Sequence, residues 1–215
     1  MAEKKRPRRT RERILETSLA LFNRLGAPQV TTADIADEME ISPGNLYYHF
    51  SNKDEIVFEL YTRYEADVLP LFADRAERPL DVDDLWLWLH LLFECMWKYR
   101  FLHRDLDQLT SQNAKLGARF GALLRKGAVT VIELSRGLGR AGAMRATDRE
   151  IESLAQNVML VAAYWSSYDR VRRSAADAAM GGDAGRAAYQ VLALFAPYLD
   201  GDARAYFDRL AADYL

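Results

Sequence analysis

Apolar residues recur at three- and four-residue intervals along almost the whole chain, and nowhere do Val, Ile and Thr alternate with polar residues in the manner of strands. With Pro, Gly and short polar runs taken as breaks, the pattern beyond Lys53 predicts helices at roughly 54–74, 82–99, 101–111, 115–138, 148–175, 185–199 and 203–214. The predicted loops are RPLD around Pro79, SQN at 111–113, GLGRAG at 137–142 and GGDAG at 181–185. The fold class is therefore all-α, without internal repeat or low-complexity tract.

One predicted helix differs from the others. Between Asp84 and Glu94 the segment LWLWLHLLF is apolar around its whole circumference except at His90, which predicts a helix running through the middle of a bundle. Trp86, His90, Phe93 and Trp97 fall on one stripe, and Phe101 and His103 follow closely. An aromatic wall of this kind suits either a packed core or a pocket for an apolar or aromatic small molecule. In YRFLHRDLD, Arg100, His103 and Arg104 could meet an anionic group, or be neutralised by Asp105 and Asp107 as ordinary ion pairs.

The stretch TTADIADEMEISPGNLYYHFSNK, Thr31 to Lys53, is punctuated more densely and predicts two short helices joined by a tight turn. Thr32 is read as the cap of a helix with Ile35, Ala36 and Met39 turned inward, and Ser42 as the cap of the next, with Pro43 at the first helical position. Leu46 and Phe50, four residues apart, pack back on the first helix and leave Asn45, Tyr48 and His49 facing away. Tyr47 can join the core or reach a phosphate with its hydroxyl. This is the layout of a unit that lays its second helix in a DNA groove.

Charge sharpens that picture. The first thirteen residues hold Lys4, Lys5, Arg6, Arg8, Arg9, Arg11 and Arg13 against Glu3 and Glu12, a net +5, in a chain whose formal charge is −2. The remainder then carries about −7, so the chain is basic at one end and acidic elsewhere. A basic terminus seen alone is a solvated tail; beside a capped, aromatic helix it suits contact with nucleic acid.

Other classes of function find little support. Gly137, Gly139 and Gly142 spell GxGxxG, but the motif follows an amphipathic helix and no strand, so it reads as a helix stop and not as a dinucleotide site. His49, His90 and His103 are too scattered for a metal centre, and Cys95 has no cysteine partner, which favours a reducing compartment. No catalytic spacing, metal site or cofactor is expected. The longest apolar stretches, Leu85–Phe93 and Val158–Trp165, fall short of the ~20 residues that span a membrane, and with no signal peptide the expected location is cytoplasmic. At 215 residues and 24.5 kDa, half of them hydrophobic, the chain has room for a small DNA-binding unit and a core-bearing domain.

The elements RERILETSLALFNRLG, TTADIADEMEIS and PGNLYYHFSNKDEI, spanning Arg11 to about Leu60, resemble the DNA-binding domain of the TetR/AcrR family of bacterial transcription regulators. The resemblance implies a three-helix helix-turn-helix domain at 1–55 and a helical-bundle domain at 56–215 for effector binding and dimerisation. It assigns operator phosphate or base contacts to Thr32, Asn45, Tyr47, Tyr48, His49 and Lys53. It also places an effector pocket in the helices holding Trp86, His90, Phe93, Trp97, Phe101 and His103. Many members have Gly at the turn between the two short helices; here Glu40 stands there, at about 1 kcal/mol if its backbone is left-handed.

A dimer is expected from the last long helices, through Val158, Ala162, Trp165, Val191 and Phe195, because two recognition helices are needed to meet a palindromic site. The same faces could instead close the subunit's own core. The expected function is a repressor released from double-stranded DNA by a small apolar or aromatic effector. A ligand-independent regulator or an activator of the same fold is the alternative, ahead of an all-α enzyme or a membrane-surface scaffold.

Overall fold

Caps and glycines, more than helix propensity, set where this chain turns. The computed structural model describes residues 5–72, 80–172 and 184–212. Its helices are α1 (Lys5–Leu25), α2 (Thr32–Glu38), α3 (Pro43–His49), α4 (Lys53–Val68), α5 (Val82–Lys98), α6 (Arg100–Arg104), α7 (Leu106–Gln112), α8 (Ala114–Arg140), α9 (Asp148–Arg172), α10 (Ala184–Phe195) and α11 (Gly201–Ala212). Short 3-10 turns follow α1, α4 and α10, at Ala27–Gln29, Leu69–Phe72 and Ala196–Tyr198.

The contacts divide the chain into two units: residues 1–66 with 99–118, and residues 67–98 with 119–215. A single boundary near residue 55 does not convey this, because α6 and α7 group with the N-terminal helices.

In the first unit, α1 buries Ile14, Leu15, Ser18, Leu21 and Phe22, the i, i+1, i+4, i+7, i+8 face of an amphipathic helix. Gly26, at φ 101, lets the chain turn away, a conformation that glycine alone adopts cheaply. The cap of α2 is Thr31, and not Thr32 as the sequence reading had it. The Thr31 hydroxyl accepts the Asp34 N–H at 3.2 Å while the Asp34 carboxylate accepts the Thr31 N–H at 2.7 Å, a reciprocal capping box. Ser42 caps α3 by accepting the Asn45 N–H, with Pro43 at its first position. Asn52 caps α4 through the Glu55 N–H at 2.9 Å.

Leu46 and Phe50 are buried where α3 packs on α2, and the Arg11 guanidinium lies 4.7 Å from the Phe50 ring centre while pairing with Glu59. Glu40, in the turn between α2 and α3, adopts the left-handed φ of 54. The helix predicted at 101–111 is two helices, because the backbone leaves the helical region at Asp105, whose carboxylate accepts the Ala27 N–H.

In the second unit, α9 and α10 pack through Leu154, Ala155, Val158, Ala162, Ala187, Ala188, Val191 and Phe195, all buried. Helix α5 buries Val82, Leu85, Trp88, Leu89, Leu92, Phe93 and Met96, and the Trp88 indole donates to the Leu71 carbonyl at 3.0 Å. Contrary to the expectation of a fully enclosed helix, Leu87, Leu91 and Trp97 are exposed, so α5 keeps one open stripe.

The predicted stop at Gly137 is not one: α8 continues to Arg140. A Cβ on Gly137 would lie 2.6 Å from the Leu80 side chain, so this glycine serves close packing. The stop is Gly142, at φ 73, where the Ala143 N–H reaches the Leu138 carbonyl and the Gly142 N–H the Gly139 carbonyl, a Schellman termination. The 3-10 turn at Leu69–Phe72 ends the predicted 54–74 helix early, at Pro70's approach. Residues 78–79 of the RPLD loop expected around Pro79 lie outside the described residues, as do residues 181–183 of the one expected at 181–185.

Candidate nucleic-acid interface

Helix α3 is seven residues long and held at three points: Ser42 at its start, Leu46 in its middle and Phe50 just past its end. That anchoring leaves the other side of the helix no freedom to turn inward. Tyr48 is 79% exposed and Tyr47 52%, Asn45 is exposed and His49 half-buried. The Tyr48 and His49 rings meet edge-on at 5.1 Å, which orders the outer face. The Tyr47 hydroxyl lies 3.0 Å from the Thr32 hydroxyl, so the predicted contacts Thr32 and Tyr47 form a pair with one O–H left to donate to an acceptor such as phosphate.

Lys53 opens α4, and its ammonium donates to the Ala27 carbonyl at 2.9 Å. Two of its three N–H groups remain after that bond. The structure thus gathers Thr32, Asn45, Tyr47, Tyr48, His49 and Lys53 around α3 and the first turn of its neighbours.

The sequence reading passed over Gly44. A Cβ there would meet only the Ser42 hydroxyl, at 4.0 Å, so packing does not require the glycine. It leaves bare backbone on an exposed part of α3. A Gly inside so short a helix, against the propensity scale, was the available signal. The basic arm begins as the first turns of α1, with Arg9 and Arg13 exposed; Lys4 lies outside the described residues.

The residues expected around an effector are not all brought together. Phe101 and His103 belong to the interior of the first unit: Phe101 packs on Phe22 with ring centres 5.2 Å apart, and His103 Nε2 lies 3.0 Å from the Tyr64 hydroxyl. That corrects their reading as pocket residues. Arg104 is likewise engaged by backbone carbonyls of α1 and by Asp105, and is no anion site. Of the α5 residues, Trp86 and His90 stack nearly parallel with centres 5.1 Å apart, Phe93 is buried and Trp97 is 38% exposed. The Trp86 indole nitrogen is buried with no acceptor. A shallow hollow of about 520 Å³ lies elsewhere, at the α8–α9 corner beside Arg136, Arg140, Met144 and Ile151.

Four of the five expected dimer residues lie inside the subunit. Val158, Ala162, Val191 and Phe195 are buried in the subunit's own α9–α10 packing, and Trp165 is half-buried beside Tyr168. The apolar residues α9 leaves open are Leu160, Tyr164, Tyr168 and Val171, a different stripe of the same helix.

Comparison with known proteins agrees with this architecture. Residues 14–60 match the family of bacterial regulatory proteins called the tetR family, and residues 63–207 match a TetR domain described as a bacterial transcriptional repressor. The solved structure of a TetR-family transcriptional regulator from Marinobacter aquaeolei VT8 superposes with a TM-score of 0.83 at 31% identity, covering 95% of this chain and 98% of that one. Over 53 residues the chain is 36% identical to the probable acrEF/envCD operon repressor of Escherichia coli, covering 25% of this chain and 24% of that protein. Over 76 residues it is 37% identical to the transcriptional repressor KstR2 of Mycobacterium tuberculosis, covering 32% of this chain and 38% of that protein. The chain thus spans between a quarter and two fifths of the length of these curated relatives. Among the described residues no helix is long and apolar enough to cross a membrane, and no group of three metal-ligating side chains is present. Helix-turn-helix geometry, the matching of both halves of the chain and the full-length structural likeness converge: the chain belongs to the tetR family of bacterial regulatory proteins and is a DNA-binding transcriptional regulator, not an enzyme.

Proposed function

We propose that this regulator is a cytoplasmic repressor that binds a palindromic operator as a homodimer and leaves it when a small apolar or aromatic effector binds. The observation that carries the proposal is the outward face of α3, where Tyr48 stands 79% exposed on a helix fixed by Ser42, Leu46 and Phe50. Asn45 is suited to a base edge; Thr32, Tyr47 and Lys53 are suited to phosphates, with Tyr48 and His49 between. Two such faces, about 34–36 Å apart, meet successive major grooves.

The stripe Leu160, Tyr164, Tyr168 and Val171 is the surface on which a second copy would pack, because it is apolar, open and runs along the C-terminal half of α9. For the effector, Trp86 stacked on His90 offers a flat apolar surface and an indole N–H that lacks an acceptor, which suits an aromatic molecule bearing a carbonyl or carboxylate. A full switch requires the effector to prefer the released form by about 5.5 kcal/mol.

Selection of bound duplexes from a random DNA pool tests the whole reading. The expected product is a two-fold symmetric sequence bound at low salt and released as salt rises. Recovery of no sequence preference would end it. Leu160→Asp should give monomers in sedimentation with much weaker operator binding; an unchanged dimer would remove the α9 stripe from the proposal.

A further inference from the structure

We infer that Arg104 and Asp105, distant in sequence from the helix-turn-helix, are positioning residues for the DNA contact made by Lys53. The inference rests on the reading of Lys53 as a phosphate contact. Its basis is a continuous set of bonds inside the first unit. The Arg104 guanidinium donates to two carbonyls at the C-terminal end of α1, to that of Phe22 at 2.5 Å, which also accepts the Gly26 N–H, and to that of Asn23 at 3.4 Å. The same guanidinium holds the Asp105 carboxylate, at 3.2 and 3.3 Å. That carboxylate accepts the Ala27 N–H at 2.9 Å, and the Ala27 carbonyl accepts the Lys53 ammonium at 2.9 Å.

Ala27 is therefore gripped from both sides. Its N–H is fixed by the α6–α7 junction, and its carbonyl fixes the side chain expected to meet DNA. The pair is largely sheltered, with the Arg104 and Asp105 side chains 20% and 12% exposed, so the hydrogen bonds are screened little by water. Phe101 adds a parallel tie, its N–H donating to the Asn23 side chain at 3.1 Å. Gly26 fits the same purpose: a Cβ there would lie 3.0 Å from an Arg104 nitrogen, so a side chain would press on the guanidinium that reaches Phe22.

A lysine held in this way is pre-oriented. Its flexible four-carbon stem would otherwise have to be ordered when a phosphate arrives. Loosening Ala27 should then weaken binding through Lys53 and through no other contact.

The test uses the full-length protein and the duplex that it selects from a random pool, with affinity measured across a range of salt. One phosphate contact contributes a slope of about 0.9, equivalent to roughly eightfold in affinity at 0.1 M salt. Lys53→Met should lose about that factor and lower the slope by about one. Asp105→Ala should lower affinity and slope in the same direction, and should add nothing in the Lys53→Met background. Asp105→Asn, which keeps one oxygen for the Ala27 N–H, should restore the slope. A merely structural role would lower thermal stability, leave the slope at its wild-type value and cost the same factor with or without Lys53. That result overturns the inference. If Lys53→Met itself leaves the slope unchanged, the phosphate reading of Lys53 is what fails, and the inference with it. Should Asp105→Ala lose helicity, Arg104→Gln removes the guanidinium that orients the carboxylate and is judged by the same slope.

Discussion

Aromatic side chains occupy opposite environments in α3 and α5. On α3 the two tyrosines face water, Tyr48 at 79% and Tyr47 at 52%, while Leu46 and Phe50 on the other side are sealed. On α5, Trp88 and Phe93 are sealed and exposure falls mainly to Leu87, Leu91 and Trp97. In α5 the open positions form one side of a long helix, with Leu87 at 50% beside Trp88 at 1%, as happens wherever a bundle has an outer side. In α3, burial and exposure are separated by single residues on a helix of two turns, fixed by a cap and two anchors. Large apolar surface left open by so rigid an arrangement has no use in the fold and is available to a partner.

The sharpest way to break that contrast is to truncate a leucine on each helix. Leu46→Ala should cost about 2–5 kcal/mol in denaturant unfolding and abolish operator binding, because the reading face loses its central anchor. Leu87→Ala, half exposed on α5, should change stability by less than about 0.5 kcal/mol. Equal costs would show that exposure does not separate the two helices.

Next in size is Tyr48→Ala. It should reduce operator affinity roughly tenfold, about 1.4 kcal/mol, in an anisotropy titration while the thermal transition stays where it was. Unchanged affinity would remove Tyr48 from the interface.

Glu40→Gly is smaller and opposite in sign. The left-handed backbone at Glu40 suits glycine, so the substitution should stabilise the first unit by about 1 kcal/mol, offset in part by greater freedom of the unfolded chain. Equilibrium unfolding measures it, and operator affinity should not fall.

Least in size is an acid effect. The Thr31 backbone N–H, and after it the Thr31 hydroxyl, hold the Asp34 carboxyl below its ordinary value of 3.8. A carboxylate whose folded value is depressed adds stability that is fully present above the ordinary value and is lost as pH falls through the folded one. The start of α2 should therefore loosen only below about pH 4, and Asp34→Asn should flatten that part of the acid unfolding curve monitored by helicity.

What the sequence made legible follows from the range of the interactions involved. Ser42 and Pro43 act within the first turn of their own helix, and Leu46 and Phe50 keep the four-residue spacing of one helix face, so their roles could be read directly. The misplaced cap at Thr32 was a near miss of the same kind: the Thr31-x-x-Asp34 spacing, three residues apart, was the better guide. Helix α9 was harder because it carries two apolar stripes. Val158 and Ala162 face α10, Leu160 and Tyr164 face outward, and both sets keep the helical period. Periodicity shows that a face is apolar without showing what covers it. The Arg104–Asp105 arrangement was beyond reach for a different reason. Its partners are the backbone groups of Phe22, Asn23 and Ala27, and every residue has such groups, so nothing in the side-chain pattern marks them.

The left-handed turn at Glu40 also bears on how this protein can change. Every codon for glutamate becomes a codon for glycine by one substitution at its second base. A more stable helix-turn-helix is therefore a single point mutation away in any descendant of this gene, whatever its synonymous codon usage, and a lineage facing heat would have that route open.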